Sequence, residues 1–243
     1  MSERYYVDSV PEGIQVGGQL ALNAEETRHL TKVMRKKVGE SVTVFDGRGG
    51  EFETRIVAIQ KDRTDLEITA ILPPEPAPSI RLTLAVSLPK GERQKVLVEK
   101  LTELGVARIV PMVTQYSVAK VDAQTVERLR RQSIEAAKQC GRRRLPEITE
   151  VRSMQEIGRE FAHKIFGHPP RDGDVGQRKL IEWAKLGTID EMAVAIGPEG
   201  GFSPEEVEAA LAEGWIPISL GAHTLRTETA AMAAAATLSI LFL

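Results

Sequence analysis

MAVAIGPEGGFSPEEVEAALAEGWIPISLG, residues 192–221, reads as a strand, a loop, a helix and a second strand. The run from Met192 to Ile196 is apolar throughout and too short for a helix, so it predicts a strand buried on both faces. Ser203-Pro204-Glu205-Glu206 places a capping serine, a proline at the first helical position and a glutamate at N3, a strong helix start. WIPISLG, residues 215–221, supplies the next strand. Strand, helix and strand in succession predict parallel pairing within a sheet covered by helices on both faces. Between the first strand and the helix lie Gly197, Pro198, Glu199, Gly200 and Gly201, three glycines around one carboxylate. A plain turn needs less glycine than this; the composition lets backbone approach a ligand closely.

The same alternation runs upstream. LTLAVSL (82–88), ARIVPMV (107–113) and AHKIFGH (162–168) read as strands. KGERQKVLVEKLTELG reads as a helix closed by Gly105 at C′. Asp122 caps a long helix, AQTVERLRRQSIEAAKQC, closed by Gly141; Ser153 with Glu156 starts another, and VGQRKLIEWAKL (175–186) reads as a further one. The chain ends in the alanine-rich helix AAMAAAATLSILFL, whose 14 residues are too few to span a bilayer.

LPPEPAPS, residues 72–79, holds four prolines in eight positions and reads as a stiff linker. Before it, SVTVFDGRGGEFETRIVAIQ alternates apolar and polar residues on either side of Asp46-Gly47, a hairpin signal, and DLEITAIL continues the alternation. Asn23 with Glu26 forms a capping-box pattern ahead of the helix ETRHLTKVM. The expected organisation is a small β-barrel domain with one helix over 1–72, a linker over 73–79 and an α/β domain over 80–243.

Hydrophobic residues make up 42% and charged residues 27% of the 243-residue chain, the balance of a globular protein with a core large enough to need no disulfide or metal. The single cysteine, Cys140, excludes a disulfide framework and fits a reducing, cytoplasmic setting. MSERYYVDSV lacks the basic-then-apolar pattern of a signal peptide. A net charge of −2 argues against indiscriminate nucleic-acid binding but leaves room for local basic patches. No G-x-x-x-x-G-K-[ST] loop, G-x-G-x-x-G fingerprint or G-x-S-x-G elbow occurs, and His29, His163, His168 and His223 lack zinc-ligand spacing. No metal is expected.

Two loops remain as bearers of chemistry, both at the C-terminal ends of predicted strands, where open α/β sheets bind ligands. The first is Gly197–Gly201. The second runs from Leu220 and Gly221 through Ala222, His223, Thr224 and Leu225 to Arg226, Thr227 and Glu228 at the entrance of the last helix. Their backbone N–H and C=O groups could read a heterocycle such as adenine. Turn glycines and helix caps are the competing explanation: Thr227 as a cap, Glu228 as a complement to the helix dipole. Arg226 does not suit that explanation, because a cation at a helix N-terminus is unfavourable.

IGPEGGFSPEEVEAALAEGWIPISLGAHTLRTETAAMAA resembles the closing signature of the SPOUT methyltransferases and, among them, the family of ribosomal small-subunit methyltransferase E. KGERQKVLVEKLTELGV (90–106), SIEAAKQCGRRRLPEI (133–148) and HLTKVMRKKVGESVTVFDGRG (29–49) are similar to earlier segments of that family, so the resemblance covers nearly the whole chain. It departs at His223, where the family usually has arginine, which leaves Arg226 as the better candidate for a fixed charge.

The resemblance implies a PUA-like β-barrel followed by an α/β domain with a mostly parallel sheet and a trefoil knot, and a homodimer. It implies S-adenosylmethionine as methyl donor, held by Gly197, Pro198, Glu199, Gly200, Gly201, Leu220, Gly221, Leu225 and Thr227. It implies N3 of a uridine in 16S rRNA as acceptor. For the chemistry, Arg226 is the candidate for stabilising charge on the uracil oxygens, and Glu228 or Glu199 for receiving the proton. Arg142, Arg143 and Arg144 after the long helix, and Arg28, Lys32 and Arg35 in the first domain, are candidate phosphate contacts. Aromatic residues, at 5%, are too few for extended base stacking, so an assembled 30S subunit is the expected substrate form. Competing readings are a SPOUT enzyme acting on another RNA such as tRNA, and a non-catalytic RNA-binding ribosome-assembly factor.

Overall fold

The computed structural model describes residues 4–119, 121–168, 178–180 and 189–242. They form two compact units, one of residues Met1–Ala77 with Ile134–Leu145, the other of Pro78–Ser133 with Pro146–Leu243.

The first unit is a curled, mixed five-stranded sheet in the order β1-β3-β4-β5-β2. Its strands are β1 (Arg4–Tyr6), β2 (Gln19–Leu22), β3 (Ser41–Phe45), β4 (Glu51–Ile59) and β5 (Thr64–Ile71). β1 runs parallel to β3, and the other pairs are antiparallel. The predicted alternation is realised: Val42 and Val44, Phe52 and Ile56, and Leu66 and Ile68 all face one core with Tyr5, Leu20, Leu22 and Leu30. Register shifts in the β4–β5 pair, between Glu53 and Thr54 and between Ile56 and Ala58, supply the bends that curl the sheet.

Two local expectations change here. The helix α1 (Ala24–Arg28) passes into a π-helical turn, His29–Val33. Asn23 caps α1 by accepting from the Glu26 N–H at 3.0 Å, but Glu26 does not complete the box. Its carboxylate is buried and receives Lys138 Nζ instead, at 3.0 and 3.1 Å.

The second unit holds β6 (Arg81–Val86), β7 (Arg108–Val113), β8 (Glu147–Ile148), β9 (Arg152–Ser153), β10 (Lys164–Gly167), β11 (Arg178–Lys179), β12 (Glu191–Ile196) and β13 (Ile216–Ser219). The order is β11-β13-β10-β12-β6-β7-β8, with β9 also on β7, and every pair is parallel. The apolar run of β12 is buried from Met192 to Ile196, and its period of two divides it between two cores. Met192, Val194 and Ile196 join Leu82, Leu84 and Val86 of β6 against Leu97, Val98 and Leu101 of α2 (Glu92–Glu103). Ala193 and Ala195 face Phe166, Phe202, Ile157 and Trp215 on the other side. The small residues make room there for three bulky rings.

α4 (Met154–Gly158) and α5 (Pro204–Ala212) both begin with complete capping boxes, from Ser153 with Glu156 and from Ser203 with Glu206. α3 (Ala123–Cys140) is capped by Asp122, which accepts from the Thr125 N–H at 2.8 Å. α6 (Thr227–Leu241) lays Ala231, Ala234, Ala235 and Leu238 into the first of these cores and packs on α2, β6 and β12. Its alanines permit that close approach. Among the described residues no helix is long and apolar enough to cross a membrane.

Within the stretch 175–186, expected as a helix, Arg178–Lys179 instead pair with Ile218 and Ser219 as strand β11. The rest of that stretch lies outside the described residues, apart from Leu180.

Candidate functional site

Parallel pairing in register brings the ends of β10, β12 and β13 to one edge of the sheet: Phe166 lies opposite Ala195, and Gly167 opposite Ile218. The loops that follow enclose a single cleft. It is lined by Gly167 and His168, by Ile196 through Phe202, and by Ser219–Gly221, His223–Leu225, Thr227 and Ala230. Gly197, Pro198, Glu199, Gly200, Gly201, Leu220, Gly221, Leu225 and Thr227, all expected at a cofactor site, stand around this one cleft.

Two glycines are favoured by geometry. Gly201 has φ of +73°, left-handed backbone in which its N–H reaches the Pro198 carbonyl at 2.8 Å. Gly197 lies so close to the Phe202 ring that a Cβ would meet it at 3.1 Å. The loops are tied together by one side chain: Thr227 Oγ1 donates to the Gly197 carbonyl at 3.1 Å. Thr227 is therefore not the helix cap. Arg226 occupies that position in extended conformation, and its carbonyl accepts from the Ala230 N–H at 2.8 Å. Replacing Thr227 by valine keeps the shape and removes the tie; if the cleft holds the S-adenosylmethionine that the resemblance implies, binding is expected to weaken about 3- to 10-fold by titration calorimetry. Unaltered affinity would mean that the loops hold their geometry without it.

Charge is concentrated beside the cleft. Glu199 lines it and is exposed. Arg226 is exposed and has no ion-pair partner among the described residues. Glu228, in the first turn of α6, is buried, and its Oε2 has no hydrogen-bond partner among the described residues. Sequence reasoning missed the group between the carboxylates. Arg93, in the first turn of α2, places Nη1 2.6 Å from Glu199 Oε1 and 3.9 Å from Glu228 Oε2. Its own backbone N–H, the Arg93 guanidinium and the charge of Arg226 hold the Glu199 carboxyl below the usual range. The signal is present in the sequence: Arg93, like Arg226, is a cation at a helix start. His168 also escapes sequence reasoning, which considers it only as a metal ligand; it sits at the end of β10 and lines the cleft. Among the described residues no cluster could hold a metal ion.

The basic residues belong to the first unit. Arg28, Lys32 and Arg35 are exposed and make no ion pair among the described residues. The arginine run differs. Arg143 donates to the Pro73 carbonyl at 2.6 Å and pairs with Glu51 at 2.6 Å. Arg144 donates to the carbonyls of Arg48 at 2.7 Å and Glu75 at 3.3 Å. Burial pushes the Arg142 guanidinium below its ordinary pKa. These arginines find their partners inside the chain.

Known proteins share this arrangement. The RNA methyltransferase domain family matches residues 75–239, and the RNA methyltransferase PUA domain family matches residues 22–69. The ribosomal RNA small subunit methyltransferase E of Bacillus subtilis (strain 168) is 25% identical over 98% of this chain and 96% of its own length. The enzyme of that name from Neisseria gonorrhoeae, solved bound to S-adenosyl methionine, is 27% identical, with a TM-score of 0.83 over 99% of this chain and 98% of its own. A methyltransferase from Legionella pneumophila, solved in complex with the cofactor SAM, is 32% identical, with a TM-score of 0.87 over 99% of this chain and 98% of its own. With matches of this extent in sequence and in structure, the chain belongs to the RNA methyltransferase domain family, among relatives named ribosomal RNA small subunit methyltransferase E.

Proposed function

We propose that the protein transfers the methyl group of S-adenosylmethionine to N3 of a uridine in 16S rRNA, acting as a cytoplasmic homodimer on the 30S subunit. The observation that carries this reading is the single cleft shared by the two glycine loops, with Arg226, which makes no ion pair among the described residues, between two of its lining residues, Leu225 and Thr227. The cleft suits an adenosyl group: its walls offer backbone polar groups, small residues that allow close approach and the apolar Ile196, Leu220 and Leu225. When bound, S-adenosylmethionine supplies an electrophilic methyl on a sulfonium. The chain's own residues do the rest. The two loops fix the reacting centres in line, which supplies much of the acceleration. Arg226 donates to the uracil oxygen on which negative charge develops. A carboxylate beside the cleft receives the N3 proton.

The experiment is transfer of labelled methyl from S-adenosylmethionine to small subunits from a strain lacking this enzyme, with naked 16S rRNA and tRNA alongside. Label on a uridine N3 in the subunits supports the reading. Label on tRNA alone replaces the substrate, and cofactor binding without label on any RNA favours an assembly factor.

For RNA binding we favour Arg28, Lys32 and Arg35 over the arginine run. Phosphate binding through Arg142, Arg143 and Arg144 would draw on guanidinium groups that already hold the first unit together. Alanine at Arg28, Lys32 and Arg35 is expected to lower the slope of log K against log salt by about 0.7–0.9 for each phosphate that is no longer neutralised. An unchanged slope would return them to the solvated surface.

A further inference from the structure

We infer that Arg93 is a positioning residue that gives the two carboxylates beside the cleft different tasks: it ties down Glu199 and leaves Glu228 Oε2 open to receive the substrate proton. The inference rests on the reading that the site methylates a ring N–H.

The geometry is asymmetric. At 2.6 Å the Arg93–Glu199 contact is a charge-assisted hydrogen bond, so one Glu199 oxygen is occupied. At 3.9 Å the Arg93–Glu228 contact is attraction without a hydrogen bond. The exposures differ as well. The Glu199 side chain is 40% exposed and that of Glu228 only 10%. A buried carboxylate oxygen with no donor is costly to maintain, and such groups in folded chains call for an explanation. Here the explanation is a proton that arrives with the substrate. Glu199 is the poorer acceptor, because the guanidinium and its own N–H both favour its ionised form.

The step balances. Uracil N3 gives its proton to Glu228 Oε2, and the electron pair left on N3 forms the bond to the methyl carbon. The carbon–sulfur pair stays on sulfur. The positive charge of the sulfonium and the negative charge of the carboxylate vanish together, so no net charge is created in the cleft. Arg93 stands near Glu228 without occupying Oε2.

The test is the single-turnover methyl-transfer rate on unmethylated small subunits as a function of pH, where the acid limb reports the proton acceptor. Arg93→Ala removes the nearby cation and is expected to move the acid limb to higher pH, with the rate reduced. Glu199→Gln frees Arg93 to approach Glu228 and is expected to move the limb to lower pH. Arg93→Lys keeps the charge and should retain the wild-type limb at a lower rate, which keeps the test open should the alanine variant fold poorly. Glu228→Gln should abolish the limb with the rate. A limb that stays in place in both Arg93→Ala and Glu199→Gln overturns the inference, as does full activity in Glu228→Gln, while label on uridine N3 in the wild type keeps the function standing. No label in the wild type overturns both.

Discussion

Arg226→Ala is expected to abolish methyl transfer while leaving the protein folded. Arg226 is exposed, forms no ion pair among the described residues, and occupies the capping position of α6, where a cation gains nothing from the helix dipole. Its visible contribution to the fold is its backbone, whose carbonyl accepts from Ala230, and alanine keeps that carbonyl. Stability should therefore move by no more than about 0.5 kcal/mol, as for other surface substitutions. The rate is another matter. Removing one donor aimed at a developing oxyanion costs about 10²- to 10³-fold in kcat. The loss should fall on kcat, with little change in the affinity for S-adenosylmethionine, because the loop backbone that lines the cleft is unaltered. Arg226→Lys should recover only part of the rate, since a point charge does not reproduce a planar fork of donors. Near-normal turnover in the alanine variant would remove Arg226 from the chemistry and leave it as a surface residue.

The α/β unit was legible because its signals are local. A continuous apolar run such as Met192–Ile196 has few folded solutions, and the capping boxes at Ser153 and Ser203 are written within four residues and formed as written. The cleft was legible for a related reason: glycine where a strand ends, twice, on β12 and β13, the two parallel neighbours of β10. Three features were not. Arg93 stands more than a hundred residues from Glu199 in the chain, and a basic residue in an amphipathic helix with as many acids as bases carries no mark of its eventual partner. The arginine run read as a phosphate site because adjacent like charges demand partners. The structure supplies those partners from Pro73, Glu75, Arg48 and Glu51, all remote in sequence. The stretch that became β11 had an amphipathic pattern, and a two-residue strand is decided by its neighbour rather than by its own residues.

The placement of residues 134–145 is the most consequential of these long-range features, and Lys138 gives it a number. By sequence Lys138 is one more base in a basic helix. In the structure it is buried in the first unit, with Nζ 3.0 and 3.1 Å from the two Glu26 oxygens and 3.0 Å from Glu135. The two side chains of the inner pair are 5% and 6% exposed. Lys138→Met removes the cation and strands Glu26 in low dielectric, which is expected to cost about 3–5 kcal/mol of stability by urea denaturation at pH 7. The pH dependence has a definite sign. Burial holds the Glu26 carboxyl above its ordinary value even with Lys138 present, the lysine's charge and hydrogen bonds pulling the other way. Without the lysine it must rise further. The folded variant then binds a proton that the unfolded chain releases, so its stability recovers as pH falls through the raised folded value toward the ordinary carboxylate range, and the deficit against wild type narrows. Adding Glu26→Leu to Lys138→Met should restore most of the loss at pH 7, because a buried ion pair replaced on both sides by apolar groups is often close to neutral. A loss below about 1 kcal/mol in the single variant, the scale of an exposed pair, would mean that Glu26 reaches water when its partner is gone. In that case residues 134–145 would be held in the first unit by the arginines and by backbone bonds such as that from the Leu145 N–H to the Gly47 carbonyl.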